Sequence, residues 1–219
     1  MRERPILFSA PMVRAILDGR KTQTRRLVKP RRAHEVAYKA NDGHVYSIPE
    51  GEVGEHEPCG DPRPLPCPYG APGDRLWVRE TIRRGPVLQD GLIGRRDTAT
   101  YAADGAPTPL DTWPWQRPVL PGIHCPRGLS RITLEVTGVR VERLQDISED
   151  DARAEGVTPT ICLPGDVVAY GPAFAHLWDS INRTRAPWDS NPWVWVIEFH
   201  AREGRPMSGG GTVNAGGGE

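Results

Sequence analysis

The sequence predicts an α+β protein, a small curved sheet or barrel accompanied by about three short helices. Three observations lead there. Short apolar runs with strand alternation recur along the chain, without the strand–helix rhythm of a doubly wound fold. The 24 Gly and 23 Pro residues imply many turns and argue against a helical bundle. With 219 residues, 37% hydrophobic and 26% charged, the chain can fill one generous domain or two small ones and reads as soluble and globular.

The elements follow in order. Pro5-Ile6-Leu7-Phe8 is a short apolar strand. Ser9 then stands where an N-cap would, ahead of Pro11 in the first helical turn. Val13, Ile16 and Leu17 give that helix one apolar face, with Arg14 and Asp18 off it. Gly19 is a natural stop, because glycine takes a left-handed conformation without steric cost. The Arg20–Arg26 segment therefore leaves a helix end and runs into a strand through Leu27-Val28.

Residues 29–72 hold Pro30, Pro49, Pro58, Pro62, Pro64, Pro66, Pro68 and Pro72, and read as an irregular insertion. Gly73-Asp74-Arg75-Leu76-Trp77-Val78 is a turn feeding a strand with Leu76 and Val78 on one face. Residues 81–128, with Tyr101, Trp113, Trp115 and His124, read as a second irregular insertion. Alternation returns at Ile132, Leu134 and Val136; Gly138 interrupts it before Val139 and Val141, as in two strands or one bulged strand. Ser148-Glu149-Asp150-Asp151 is a capping-box pattern for a short helix ending at Gly156. Phe174, Leu177, Trp178 and Ile181 mark a third helix, and Trp193–Phe199 a closing strand. Together these predict one domain over residues 1–202 and a disordered Gly-rich tail over 203–219.

Net charge is +0, so overall charge says nothing about nucleic acid. Its distribution is uneven: residues 1–40 carry eleven Lys+Arg against three Asp+Glu, residues 41–70 one against six. No leader pattern and no membrane-length apolar run is present, so the expected setting is a cytoplasm with reduced thiols. Cys59 and Cys67, with His56 nearby, have the wrong spacing for a zinc knuckle, and Cys125 and His124 lie far away in sequence. No metal or cofactor is expected. Gly-rich phosphate loops, nucleophile elbows and His-Glu-x-x-His helices are absent from the sequence.

The chemistry-bearing stretch is Gly19-Arg20-Lys21-Thr22-Gln23-Thr24-Arg25-Arg26. Arginines can fix a phosphate or an oxyanion, and a lysine of lowered pKa can take a proton from a threonine hydroxyl. Arg25, Arg26, Arg79 and Arg131 are candidates for phosphate or base contacts, and Trp77 or Trp115 for stacking a base. For the tryptophans core packing competes with stacking, most strongly at Trp178, Trp193 and Trp195 on periodic elements.

The order of motifs resembles the ASCH family of the PUA-like superfamily. It runs Gly-Arg-Lys-Thr-x-Thr-x-Arg after a helix, then Gly-Asp-x-Leu-x-Val, Thr-Leu-Glu-Val-Thr, an acidic helix ending Ala-Glu-Gly, and Val-Ile-Glu-Phe. The Leu-Trp-Val-Arg-Glu and Asn-Pro-Trp-Val-Trp-Val motifs are similar to those of long bacteriophage and prophage members. The resemblance covers roughly residues 5–28, 70–80 and 127–200, and leaves both insertions outside the minimal domain.

That resemblance implies a small PUA-like β-barrel with a cleft beside the Lys-Thr segment, acting on nucleosides or binding RNA or DNA. Some small relatives hydrolyse N4-acetylcytidine to cytidine and acetate through a lysine, a threonine and a glutamate. The matching positions are Lys21, Thr24 and Glu155, with Arg20, Thr22, Arg25, Arg26, Trp77, Arg79 and Arg131 as substrate or nucleic-acid contacts. Lys21 could be the base for Thr24, or a cation paired with Glu155 that steadies an oxyanion while water attacks. Lys21 and Glu155 could also form a purely structural ion pair. The expected function is an amidohydrolase of N4-acylated cytosine; a non-catalytic RNA- or DNA-binding module and a metal-assisted ribonuclease are the alternatives. The expected setting is a monomer in the bacterial cytoplasm, phage or prophage encoded.

Overall fold

The computed structural model describes residues 1–32, 35–40, 43–49, 64–90, 94–162 and 167–202. Cys59, His56 and the tail over 203–219 lie outside these residues. The elements run β1 (Glu3–Leu7), α1 (Ala10–Leu17), β2 (Gln23–Leu27), β3 (Glu35–Lys39), β4 (Val45–Pro49), β5 (Arg75–Arg79), β6 (Ile82–Arg84) and β7 (Leu88–Asp90). They continue β8 (Gly94–Tyr101), β9 (Pro107–Leu110), β10 (Val119–Leu120), β11 (Thr133–Arg143), α2 (Glu149–Ala154), β12 (Thr160–Cys162), β13 (Val167–Ala169), α3 (Gly171–Asn182) and β14 (Trp193–Arg202). Short 3-10 turns fall at Gly122–His124, Arg127–Leu129, Leu144–Asp146 and Trp188–Ser190. The protein is α+β, mostly strands with three α-helices, and its described strands form open orders without a closed barrel.

The chain divides into two compact units. The first takes Met1–Gly19, Arg75–Glu135 and Ala201–Glu219. Here β1 runs parallel to β5, and β5 antiparallel to the first residues of β11. Strands β10-β6-β8-β7 form a second sheet, with β9 on β8. Its core gathers Ile82, Ala99, Tyr101, Leu110, Trp113, Leu120, Cys125 and Leu129. The segment 81–128, expected to be irregular, therefore carries five strands. Their shortness and their prolines hide the alternation on which a strand assignment rests. Ser9 is the N-cap of α1 and Gly19, at φ 71, closes it. Val13 and Ile16 are buried as expected, but Leu17 is 48% exposed and leaves the apolar face.

The second unit takes Arg20–Asp74 and Val136–His200. Here β14 neighbours β11 on one side and pairs antiparallel with β2 on the other. Strand β2 begins at Gln23, four residues before the expected Leu27. The segment 29–72 is not wholly irregular either, since β3 and β4 form an antiparallel hairpin. Strand β11 is one element through Gly138, and its buried positions change parity between Val136 and Val141. The core joins Leu144, Ala152, Phe174, Trp178, Val194 and Val196. Ile181, expected on the apolar face of α3, is 54% exposed because that core stops at Trp178. Glu149 on α2 accepts hydrogen bonds from the main-chain nitrogens of Tyr170 (2.6 Å) and Gly171 (3.0 Å). A carboxylate thus sits on the start of α3, where the helix dipole favours it.

Candidate functional site

Main-chain bonds fix Lys21 and Thr22 against the end of α2. The Thr22 nitrogen donates to the Ala154 carbonyl (2.9 Å), and the Thr22 carbonyl accepts from the Phe199 nitrogen of β14 (2.9 Å). Lys21 forms an isolated antiparallel bridge with Glu155. On the other side, Ser148 caps α2 by accepting from the Asp151 nitrogen, and Gly156 ends it at φ 79. Glu155 is left as the C-cap residue, turned inward.

The side chains then meet. Lys21 Nζ donates to Glu155 Oε2 at 2.6 Å and to the Glu155 carbonyl at 2.9 Å. The Lys21 side chain is 0% exposed and that of Glu155 3%. Burial pushes the Lys21 pKa below its ordinary value, because the ammonium loses its water. Glu155 opposes this shift, while the charges of Arg26 and Arg25 add to it. The second carboxylate oxygen, Glu155 Oε1, is buried and accepts no hydrogen bond. It lies 3.5 Å from Arg25 Nη1.

Strand alternation divides the rest of β2. Gln23 and Arg25 share one face, and Thr24 and Arg26 the other. Arg25 is fully buried; its Nη2 pairs with Glu142 Oε1 and with Asp151 Oδ2 (3.0 Å), and its guanidinium lies over the Phe174 ring. With the Gln23 amide oriented to suit its neighbours, its nitrogen donates to Asp151 Oδ1 and its oxygen accepts from Arg25 Nη1 (2.6 Å). Arg140 extends the cluster, bonding Glu142, Asp151 (2.8 Å) and Glu198. Arg25, expected to touch phosphate, is thus committed to carboxylates.

On the other face, Thr24 is buried opposite Ile197 of β14. Arg26 is half-buried, with its guanidinium 6.0 Å from the centre of the Tyr69 ring. Burial lowers the Arg26 pKa, and Tyr69 and Glu155 oppose the shift. Arg20 is exposed and donates to the Gly156 carbonyl (3.0 Å), a further tie to the helix end; Thr22 is exposed.

The remaining expected residues belong to the other unit. Trp77 is half-buried on β5, with the guanidiniums of Arg79 and Arg127 at 5.6 and 5.9 Å from its ring. Arg131 bonds Glu80 through two nitrogens (2.9 Å each), reaches Asp104 at 2.8 Å, and lies 3.9 Å over the Tyr101 ring. Its fork is therefore taken by acids of its own unit, and burial pushes the Tyr101 hydroxyl up to about 12. Trp115, a stacking candidate, is partly buried and meets Trp113 edge-on at 4.8 Å; Trp113 is buried and donates to the Arg117 carbonyl.

Sequence reasoning missed Gln23, Glu142, Asp151, Arg140 and Tyr69. Asp151 was visible only as part of a capping box, and Arg140-x-Glu142 only as alternation on a strand. Tyr69 lay among prolines with no period to read. Among the described residues no group of three or more His, Cys, Asp or Glu side chains could hold a metal ion. Compared with protein-family models, with curated proteins and with solved structures, the chain matches none.

Proposed function

We propose that the chain is an ASCH-type, PUA-like amidohydrolase that removes the acyl group from an N4-acylated cytosine at the Lys21–Glu155 centre. The observation that carries this reading is the buried Lys21–Glu155 pair, whose second carboxylate oxygen, Oε1, accepts no hydrogen bond and lies 3.5 Å from Arg25 Nη1. Such an atom is costly unless a ligand or water uses it. In the reaction, Glu155 takes a proton from water, and the oxygen adds to the acyl carbon. The Lys21 ammonium steadies the oxyanion. The C–N bond then breaks, the cytosine amine takes the proton from Glu155, and the acid leaves as the second product. The Thr24 hydroxyl orients the substrate. A bacterial cytoplasmic monomer encoded by a phage or prophage belongs to the same proposal, as does action without a cofactor. No helix among the described residues is long and apolar enough to cross a membrane.

The test is incubation of the purified protein with N4-acetylcytidine and chromatography for cytidine. Wild type should release cytidine, and Lys21→Ala and Glu155→Gln should each slow release by about 100-fold or more. A wild type that releases none removes the reading.

One observation favours a second reading, a non-catalytic RNA- or DNA-binding module. A half-buried Trp77 with the guanidiniums of Arg79 and Arg127 near its ring combines an aromatic surface with the cations that hold phosphate. That reading requires oligonucleotide affinity that falls with salt, without turnover.

A further inference from the structure

We propose that Tyr69 is the specificity-determining residue of the Lys21–Glu155 site: its ring, stacked over the Arg26 guanidinium, selects a flat nucleobase. The inference rests on the hydrolase reading for the chemistry, and adds a residue from the insertion, outside the part of the chain that resembles any family.

Four observations carry it. The first is place. Arg26 shares its face of β2 with Thr24, about 6.6 Å away along the strand. Tyr69 therefore stands over the face that carries Thr24, and the Arg26 guanidinium senses both the Tyr69 ring and the Glu155 carboxylate. The second is rigidity. Leu65 donates to the Val45 carbonyl of β4 (2.7 Å), and Gly70 to the Cys67 carbonyl (3.2 Å). After the tyrosine, Gly73 donates to the Val136 carbonyl of β11 (2.8 Å) and Asp74 to the Ala71 carbonyl (2.9 Å).

The third is the turn next to the ring. Gly70 sits at φ 104, and a Cβ there would lie 2.8 Å from Asp74 Oδ2. A larger residue would be strained at that φ and would crowd Asp74, so the turn beside Tyr69 favours glycine. The fourth is accessibility: Tyr69 is half-buried, so part of its surface remains open, with the Arg26 guanidinium 6.0 Å from the ring centre. A guanidinium on one side of a tyrosine ring polarises it, and the open side is a platform for a planar heterocycle. An acyl amide without a flat ring gains nothing from such a wall.

The experiment measures kcat and KM for N4-acetylcytidine, and calorimetric binding of cytidine, with wild type, Tyr69→Phe, Tyr69→Leu and Gly70→Ala, each checked for native circular dichroism. Tyr69→Phe, which keeps an aromatic face, should shift KM and cytidine binding far less than Tyr69→Leu does. Tyr69→Leu should raise KM and weaken cytidine binding by about 10–100-fold while kcat changes little, because stacking acts on the base in ground and transition states alike. Gly70→Ala, which keeps the ring and moves it, should raise KM in the same direction. Cytidine release with unchanged KM and affinity in Tyr69→Leu overturns the Tyr69 assignment and leaves the hydrolase intact. Cytidine binding that Tyr69→Leu abolishes, in a protein that never turns over, keeps the base wall and removes the hydrolase. Neither binding nor turnover in wild type removes both.

Discussion

An ammonium taken out of water is stable only against a partner, and Lys21 has Glu155. Lys21→Met removes the cation hydrogen-bonded to the buried carboxylate, and should cost about 3–5 kcal/mol in denaturant unfolding. The double variant Lys21→Met/Glu155→Gln should recover most of that loss while remaining inactive. Equal losses in the single and double variants would show that the pair carries no coupling. Acidity supplies a second check. The Lys21 pKa in the folded state lies below its ordinary 10.5, so between those two values the unfolded chain binds more protons. Stability should therefore rise with pH through that window and level off above 10.5, and Lys21→Met should flatten this contribution. At this scale the resemblance placed Lys21 and Glu155 in one site, and the structure brings them into contact. The carboxylates around Arg25 were not legible, because sequence spacing does not reveal which strand faces which helix.

Short helix α2 holds Glu155 by its two ends, and each end has its own test. Ser148→Ala removes the oxygen that accepts from the Asp151 nitrogen, and should cost about 1 kcal/mol. Gly156→Ala forces a side chain into φ 79, and should cost about 1–2 kcal/mol. The two should differ in kinetics. Gly156 adjoins Glu155 and its carbonyl accepts from Arg20, so Gly156→Ala should lower kcat as well as stability. Ser148→Ala should leave kcat near that of wild type. Similar kcat values for both would mean that the helix end does not position the carboxylate. Both ends of α2 were legible, because capping residues act on their own backbone. The β3–β4 hairpin and the strands between residues 81 and 128 were not. In those segments pairing between strands, rather than periodicity within one, decides the structure.

The Lys21–Glu155 pair belongs to the second unit, and the first has a separate buried core. Within the second unit, β14 has a neighbour on each side and buries Val194, Val196, Ile197 and Phe199, whereas β3 and β4 form a two-stranded sheet. Amide exchange should therefore be slowest in Val194–Phe199 and faster by orders of magnitude in the hairpin. The reverse order would mean that β14 is not the stable centre of that unit. The α+β class was readable from apolar runs and turn residues. The division into units was not, because each is assembled from segments far apart in the chain.

Lys21 and Glu155 stand 134 residues apart. On a ribosome adding about 5–20 residues per second, the lysine is incorporated roughly 7–27 s before its glutamate. Throughout that interval Lys21 has no Glu155 to pair with, and no nascent chain that stops short of Glu155 contains the centre. The buried pair is therefore assembled late, when the end of α2 docks against a segment synthesised long before it.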